Sequence, residues 1–239
     1  SHPARQRERG LRLTLAAHTA GDATPEQPDP SPQSLQPIDR VLVSGDAVSS
    51  ARSLLGALVV RDDAAGRRVG RVVETEAYAG PSDQASHARA GRTARTSVMF
   101  GPPGLAYVYL VYGMHHCLNV VCGPDGEASA VLIRALEPVT GLERMRERRG
   151  PTAGADMRMA AGPARACEAL DIDRSFSGHD LLQPGRLWLA GDTKTPADDE
   201  IVAGPRIGVD YAGPEWAGRP WRFGLAGSPA ISRPFPAAA

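Results

Sequence analysis

Residues 105–122, LAYVYLVYGMHHCLNVVC, constrain the fold of this chain more than any other stretch. β-branched and aromatic side chains crowd both sides of Gly113, and such residues pack well on a pleated surface. The segment reads as two strands joined by a hairpin that turns at Tyr112, Gly113 and Met114. RVVETEAY at 71–78 and AVLIRALEP at 130–138 have strand character as well. Over DAVSSARSLLGALVV, Asp46 is placed to cap a helix with Val48, Ala51, Leu54 and Leu55 at helical spacing, followed by a strand ending at Val60. RDDAAGRRVG supplies the turn back into RVVETEAY. In TGLERMRERR, Thr140 and Glu143 have capping-box spacing, so a basic amphipathic helix should start there. Pro163 should open a helix in GPARACEAL, and RLWLA, RIGVDYAG and RPWRFGLAGS read as strands. Short strands alternating with a few helices, without an internal repeat, predict one mixed α+β domain with a mostly antiparallel sheet over residues 37–235.

Residues 1–36 mix arginine with Pro, Gln, Ser and Asp, lack apolar periodicity and begin without methionine, so they read as a disordered or trimmed tail, or as an arginine-rich targeting arm. LRLTLAA is too short for a convincing signal core, and no apolar run is long enough to span a bilayer. An intracellular protein without membrane contact is expected, in the cytoplasm or nucleoid of a bacterium or the nucleus of a eukaryote. Lys+Arg and Asp+Glu both number 27, so the net charge of zero gives no global attraction to nucleic acid. Cys117, Cys122 and Cys167 lack zinc-knuckle spacing. His115 and His116 stand next to Cys117, but adjacent strand residues point to opposite faces, so neither a metal nor a cofactor is expected and the thiols should be reduced.

In a strand, Glu74, Glu76 and Tyr78 share one face and Val73, Thr75 and Ala77 the other, a pattern that a solvent-facing strand would also show. The hairpin adds Tyr107 and Tyr109 on one strand face, Tyr112 at the tip, and Asn119 roughly opposite Tyr109, so that an amide and a ring could sandwich a planar heterocycle. Arg89, Arg92 and Arg95 in SHARAGRTARTS have no acidic neighbour in sequence and form a local basic loop, while GDTKTPADDE carries acidity that should lie away from DNA. Three readings stay open at this level. Paired carboxylates suit a carbohydrate hydrolase, although two acids on one strand face do not flank a cleft. The hairpin and arginines alone suit a non-catalytic DNA-binding module. An enzyme acting on an extruded base would use all of these parts.

VETEAYAGPSDQASHARAGRT, MFGPPGLAYVYLVYGMHHCLNVV, AVLIRALEP, GPARACEALDI and RIGVDYAG together resemble the mammalian-type alkyladenine (3-methyladenine) DNA glycosylases, in order, from about residue 38 to 233. The resemblance implies a compact α+β domain with a curved sheet and a protruding hairpin that enters the minor groove. It implies a monomer acting on double-stranded DNA that contains a damaged purine: alkylated, etheno or deaminated. By similarity, Glu76 would activate water for attack at C1′, with Arg134 and the backbone of Ile207 holding that water. Tyr78, Tyr109 and His87 would stack on the flipped base, the backbones of Ala85 and His87 would meet its edge, and Asn119 would disfavour guanine. Tyr112, with Met114 beside it, would fill the vacated space, and Arg89, Arg92 and Arg95 would lie along the DNA backbone. Lys194 is the sole lysine, so a Schiff-base lyase step is not expected and the enzyme should be monofunctional.

Overall fold

The computed structural model describes residues 35–192 and 195–236; Thr193, Lys194 and the expected tail up to residue 34 lie outside the described residues. Strands run β1 (Leu58–Asp63), β2 (Gly66–Tyr78), β3 (Ala106–Val111), β4 (His115–Cys122), β5 (Ser129–Thr140), β6 (Leu187–Ala190), β7 (Ile201–Gly204) and β8 (Arg222–Leu225). Helices are α1 (Val41–Ser44), α2 (Ala47–Ser53), α3 (Leu142–Arg149), α4 (Pro163–Leu170) and α5 (Pro214–Ala217). The sheet order is β3-β4-β5-β2-β1-β6, with β8 paired to β2 and β7 to β8. All pairings are antiparallel. The architecture is a single compact α+β domain in which a curled half-barrel sheet carries helices.

β2 organises this sheet. Its first half pairs with β1, its second half with β8, and β5 follows its other edge through most of its length. The β2–β5 ladder slips between Val72 and Glu74 and again between Glu74 and Thr75. A bulge puts two neighbouring residues out of alternation. Val73 therefore packs with Ala135 and Ala230, away from the main core that holds Val72 and Ala77, and the expected common face of Val73, Thr75 and Ala77 does not form. Nor is the acidic face solvated, since Glu74 and Glu76 are both fully buried.

Local chemistry explains most boundaries. Asp46 accepts from the backbone N–H groups of Val48 and Ser49 at 2.9 and 3.0 Å, which caps α2. The following strand runs past Val60 to Asp63, with the turn confined to the two residues before Gly66. α3 forms as expected but is not capped by Thr140, which remains in β5; Gly141 takes the N-cap position at φ 78°. α4 begins at Pro163 and buries Ala166, Cys167, Ala169 and Leu170. RIGVDYAG is not a strand: Arg206 to Val209 are irregular and Asp210–Ala212 form a short 3-10 turn. β7 was not foreseen in sequence.

Candidate active site

The catalytic candidates converge where β2, β5 and the loop after β7 meet. Glu76 Oε1 accepts from the backbone N–H of Ile207 at 2.8 Å and lies 3.4 Å from Arg134 Nη1. Its other oxygen accepts from the Tyr78 hydroxyl at 2.9 Å. Burial, and next the charge of Glu76, hold the Tyr78 phenol well above the usual tyrosine range, so it stays a donor at any working pH. A fully buried carboxylate is tolerated only when charge and hydrogen bonds compensate its lost hydration, and Glu76 has both.

Glu74 lies behind it. One oxygen accepts from Arg134 Nε at 3.2 Å and Arg222 Nη1 at 3.0 Å, the other from the Ser232 N–H at 2.6 Å. Two carboxylates and two arginines thus form one buried cluster.

Tyr78, His87, Met99, Tyr107, Tyr109 and Asn119 line a small cavity of ≈ 30 Å³. A space of this size takes a water or two and no purine. His87 closes it: its ring stands edge-on to Tyr109, with centroids 4.5 Å apart and planes at 82°. Burial, then the charges of Arg95 and Arg89, lower the His87 pKa to about 4, so the imidazole is neutral near pH 7. Arg95 lies 3.4 Å from His87 Nε2, and a guanidinium can only donate. That geometry assigns the proton to Nδ1, which donates to the Tyr107 hydroxyl at 3.0 Å.

Asn119 reaches this cavity, but its register differs from expectation: it pairs with Tyr107, and Tyr109 pairs with Cys117. Its amide nitrogen donates to the Tyr107 carbonyl at 3.0 Å, which fixes the orientation of the side chain. Ala85 is buried; its N–H donates to Asp83 at 2.9 Å and its carbonyl accepts from Tyr211 at 2.9 Å.

Sequence reasoning missed Asp83 and Arg206. These fully buried side chains form an ion pair, with Arg206 Nη2 donating to Asp83 at 3.0 Å. The Arg206 guanidinium also lies 4.8 Å from the centre of the Tyr78 ring and donates to the Ala77 carbonyl at 2.9 Å. It pins the residue before Ile207, and so the N–H that holds Glu76. An arginine beside an isoleucine carries no sequence signal for this.

At the far end of the hairpin Tyr112 is 89% exposed and Met114 69% exposed. Tyr112 and Gly113 have φ of 52° and 71°, and Met114 N–H closes the turn on Val111 at 3.1 Å. Both residues have positive φ in a three-residue loop between Val111 and His115, a conformation glycine tolerates and tyrosine rarely does. Arg89, Arg92 and Arg95 form no ion pair with a carboxylate among the described residues; they rest over Tyr211, Phe100 and Tyr109 at 5.2, 5.5 and 5.2 Å from the ring centres. Cys117, Cys122 and Cys167 are buried free thiols. Burial raises Cys117 to about 11 and Cys122 to about 12. A larger groove of ≈ 520 Å³ lies among Gly56, Arg71, Glu137, Asp192 and Leu225, where no aromatic ring lines it and Arg71 bonds Asp192 at 2.7 Å.

The site thus combines a buried carboxylate with a ring-lined cavity on a curled antiparallel sheet. Residues 42–229 match the profile of the family described as Methylpurine-DNA glycosylase, and the chain belongs to that family, whose members are enzymes hydrolysing N-glycosyl bonds. A protein of Anaeromyxobacter dehalogenans strain 2CP-1, provisionally named a 3-methyladenine DNA glycosylase, is 49% identical over 195 residues, covering 81% of this chain and 84% of its own length. The DNA-3-methyladenine glycosylase of Homo sapiens is 44% identical over 195 residues, 78% of this chain and 64% of the human protein. That of Mus musculus is 46% identical over 196 residues, 78% of this chain and 58% of its own.

Proposed function

We propose that this chain is a monofunctional DNA glycosylase of base excision repair. It swings a damaged purine out of duplex DNA, hydrolyses the N-glycosyl bond with a water activated by Glu76, and leaves an abasic site. The observation that carries this reading is the fully buried Glu76, held by Arg134 and the Ile207 N–H and bonded through Tyr78 to the ring cavity.

Glu76 takes a proton from water as the oxygen attacks C1′ and the bond to the purine breaks. The Ile207 N–H is already engaged, so the Ile207 carbonyl is the backbone group left to orient that water, together with Arg134. A charged alkylpurine leaves readily and stacks well on electron-rich rings. Extrusion costs a few kcal/mol, least for damaged or mispaired bases, and stacking returns about 1–3 kcal/mol per base.

Stacking of a base between His87 and Tyr109 requires the His87 ring, edge-on to Tyr109 at 82° in the free protein, to turn parallel. The tip supports the same reading. A tyrosine held left-handed with its ring in water gives the fold nothing, whereas a ring inserted into the duplex keeps the extruded nucleotide from returning. Arg89, Arg92 and Arg95 supply phosphate contacts in a chain of zero net charge. The protein acts as an intracellular monomer on double-stranded DNA and needs no cofactor.

Incubation with duplexes holding one hypoxanthine or ethenoadenine tests this directly. Release of free base, leaving an alkali-labile site without strand cleavage and without borohydride trapping, is expected. Binding without base release would favour a non-catalytic module, and a trapped covalent adduct would overturn the monofunctional assignment.

A further inference from the structure

Resting on this reading, we infer that Glu74 is a positioning residue for the excision step, acting through Arg134 and locked by the C-terminal segment 228–236. Four observations converge. Glu74 is as fully buried as Glu76 and sits two residues from it on β2. Arg134 is shared between them, with Nε 3.2 Å from Glu74 and Nη1 3.4 Å from Glu76. The register shifts on either side of Glu74 leave Arg134 without a strand partner, between Ile133 and Ala135, which pair with Thr75 and Glu74. Ser232 closes the back, its N–H on Glu74 at 2.6 Å and its Oγ accepting from Arg134 Nε at 3.2 Å.

The segment carrying Ser232 is built to stay there. Arg222 donates to Glu74 at 3.0 Å and to the carbonyls of Arg233 and Pro234 at 2.9 and 3.1 Å, and its guanidinium lies 3.8 Å from the centre of the Phe235 ring. Phe235 lies against Gly224, where a Cβ would come within 2.7 Å of the ring. A side chain at Gly224 would therefore displace the segment.

The shared arginine gives the arrangement a chemical consequence. Arg134 divides its contacts between the two carboxylates, which fixes where its guanidinium stands beside Glu76. Without the Glu74 carboxylate, Arg134 loses the partner that fixes its Nε, while Glu76 keeps the Tyr78 hydroxyl and the Ile207 N–H. The guanidinium then shifts and the water it orients is misplaced.

The test is single-turnover release of hypoxanthine from a duplex, with affinity for that duplex, a pH–rate profile and the melting temperature, for wild type, Glu74→Gln and Ser232→Ala. Glu74→Gln should bind within about threefold of wild type and release base about 10–100-fold more slowly across the pH–rate profile. Ser232→Ala leaves every carboxylate paired with its arginines and should slow release about three- to tenfold at unchanged affinity. A folded Glu74→Gln with wild-type rate and profile overturns the inference. If Glu74→Gln does not fold, a wild-type rate in Ser232→Ala overturns it, and slowed release at unchanged affinity upholds it. Failure of the wild type to release any base refutes the proposed function, a result distinct from an active wild type with indifferent variants.

Discussion

The Tyr78 hydroxyl donates to Glu76 at 2.9 Å, so one tyrosine both lines the cavity with its ring and anchors the buried carboxylate. Tyr78→Phe separates these tasks. The ring remains while Glu76 loses a donor, and leaving a buried charged acceptor short of one hydrogen bond costs about 1–3 kcal/mol. Single-turnover kinetics should show affinity for a hypoxanthine duplex retained and excision about tenfold slower, roughly 1.4 kcal/mol of barrier.

His87 should be silent near neutral pH. Its folded-state pKa of about 4 lies below the ordinary 6.5, so the folded protein binds fewer protons than the unfolded chain between these values. The stability linked to this group is complete above pH 6.5 and is lost as pH falls toward 4. NMR titration of the imidazole should give a midpoint near 4. In Arg95→Ala the midpoint should rise, because one of the charges that oppose protonation is gone.

At the hairpin tip, strain and function are separable by substitution. Tyr112→Gly removes the ring and the left-handed strain together, whereas Tyr112→Ala removes the ring alone. Thermal denaturation should show the Gly variant as stable as wild type or up to about 1 kcal/mol more so. Both should flip and excise poorly by the same factor. Excision at the wild-type rate in either would remove Tyr112 from the mechanism.

Breaking the Asp83–Arg206 pair should be the most damaging change outside the chemistry. Both side chains are fully buried, and removing one partner strands the other, at about 3–5 kcal/mol. Calorimetry of Arg206→Met should show a melting temperature lower by roughly 6–20 °C, taking about 2–4 °C per kcal/mol for a domain of this size. Excision should fall too, because Arg206 precedes the residue whose N–H holds Glu76.

What could be read in the sequence was local. Asp46 caps its helix, Gly113 marks its hairpin, and the alternation in RVVETEAY puts Glu76 and Tyr78 together, because caps, turns and strand periodicity act over a few residues. Register escaped: bulges around Glu74 moved Val73 out of line, and Asn119 fell opposite Tyr107. Long-range pairing escaped as well. Arg206 meets Asp83 across 123 residues, and Ser232 meets Glu74 across 158. RIGVDYAG has strand composition, yet Ile207 gives its N–H to Glu76 and Arg206 is drawn to Asp83, so this part of the chain is committed to the site and not to a ladder.

The central claim is that Glu76 turns a water molecule against the bond between sugar and purine. Comparison of wild type with Glu76→Gln on a hypoxanthine duplex, following binding and base release in the same reaction, tests it most directly. The account predicts that the Gln variant binds like wild type and releases no measurable base. Release at the wild-type rate by a folded Glu76→Gln protein would contradict it.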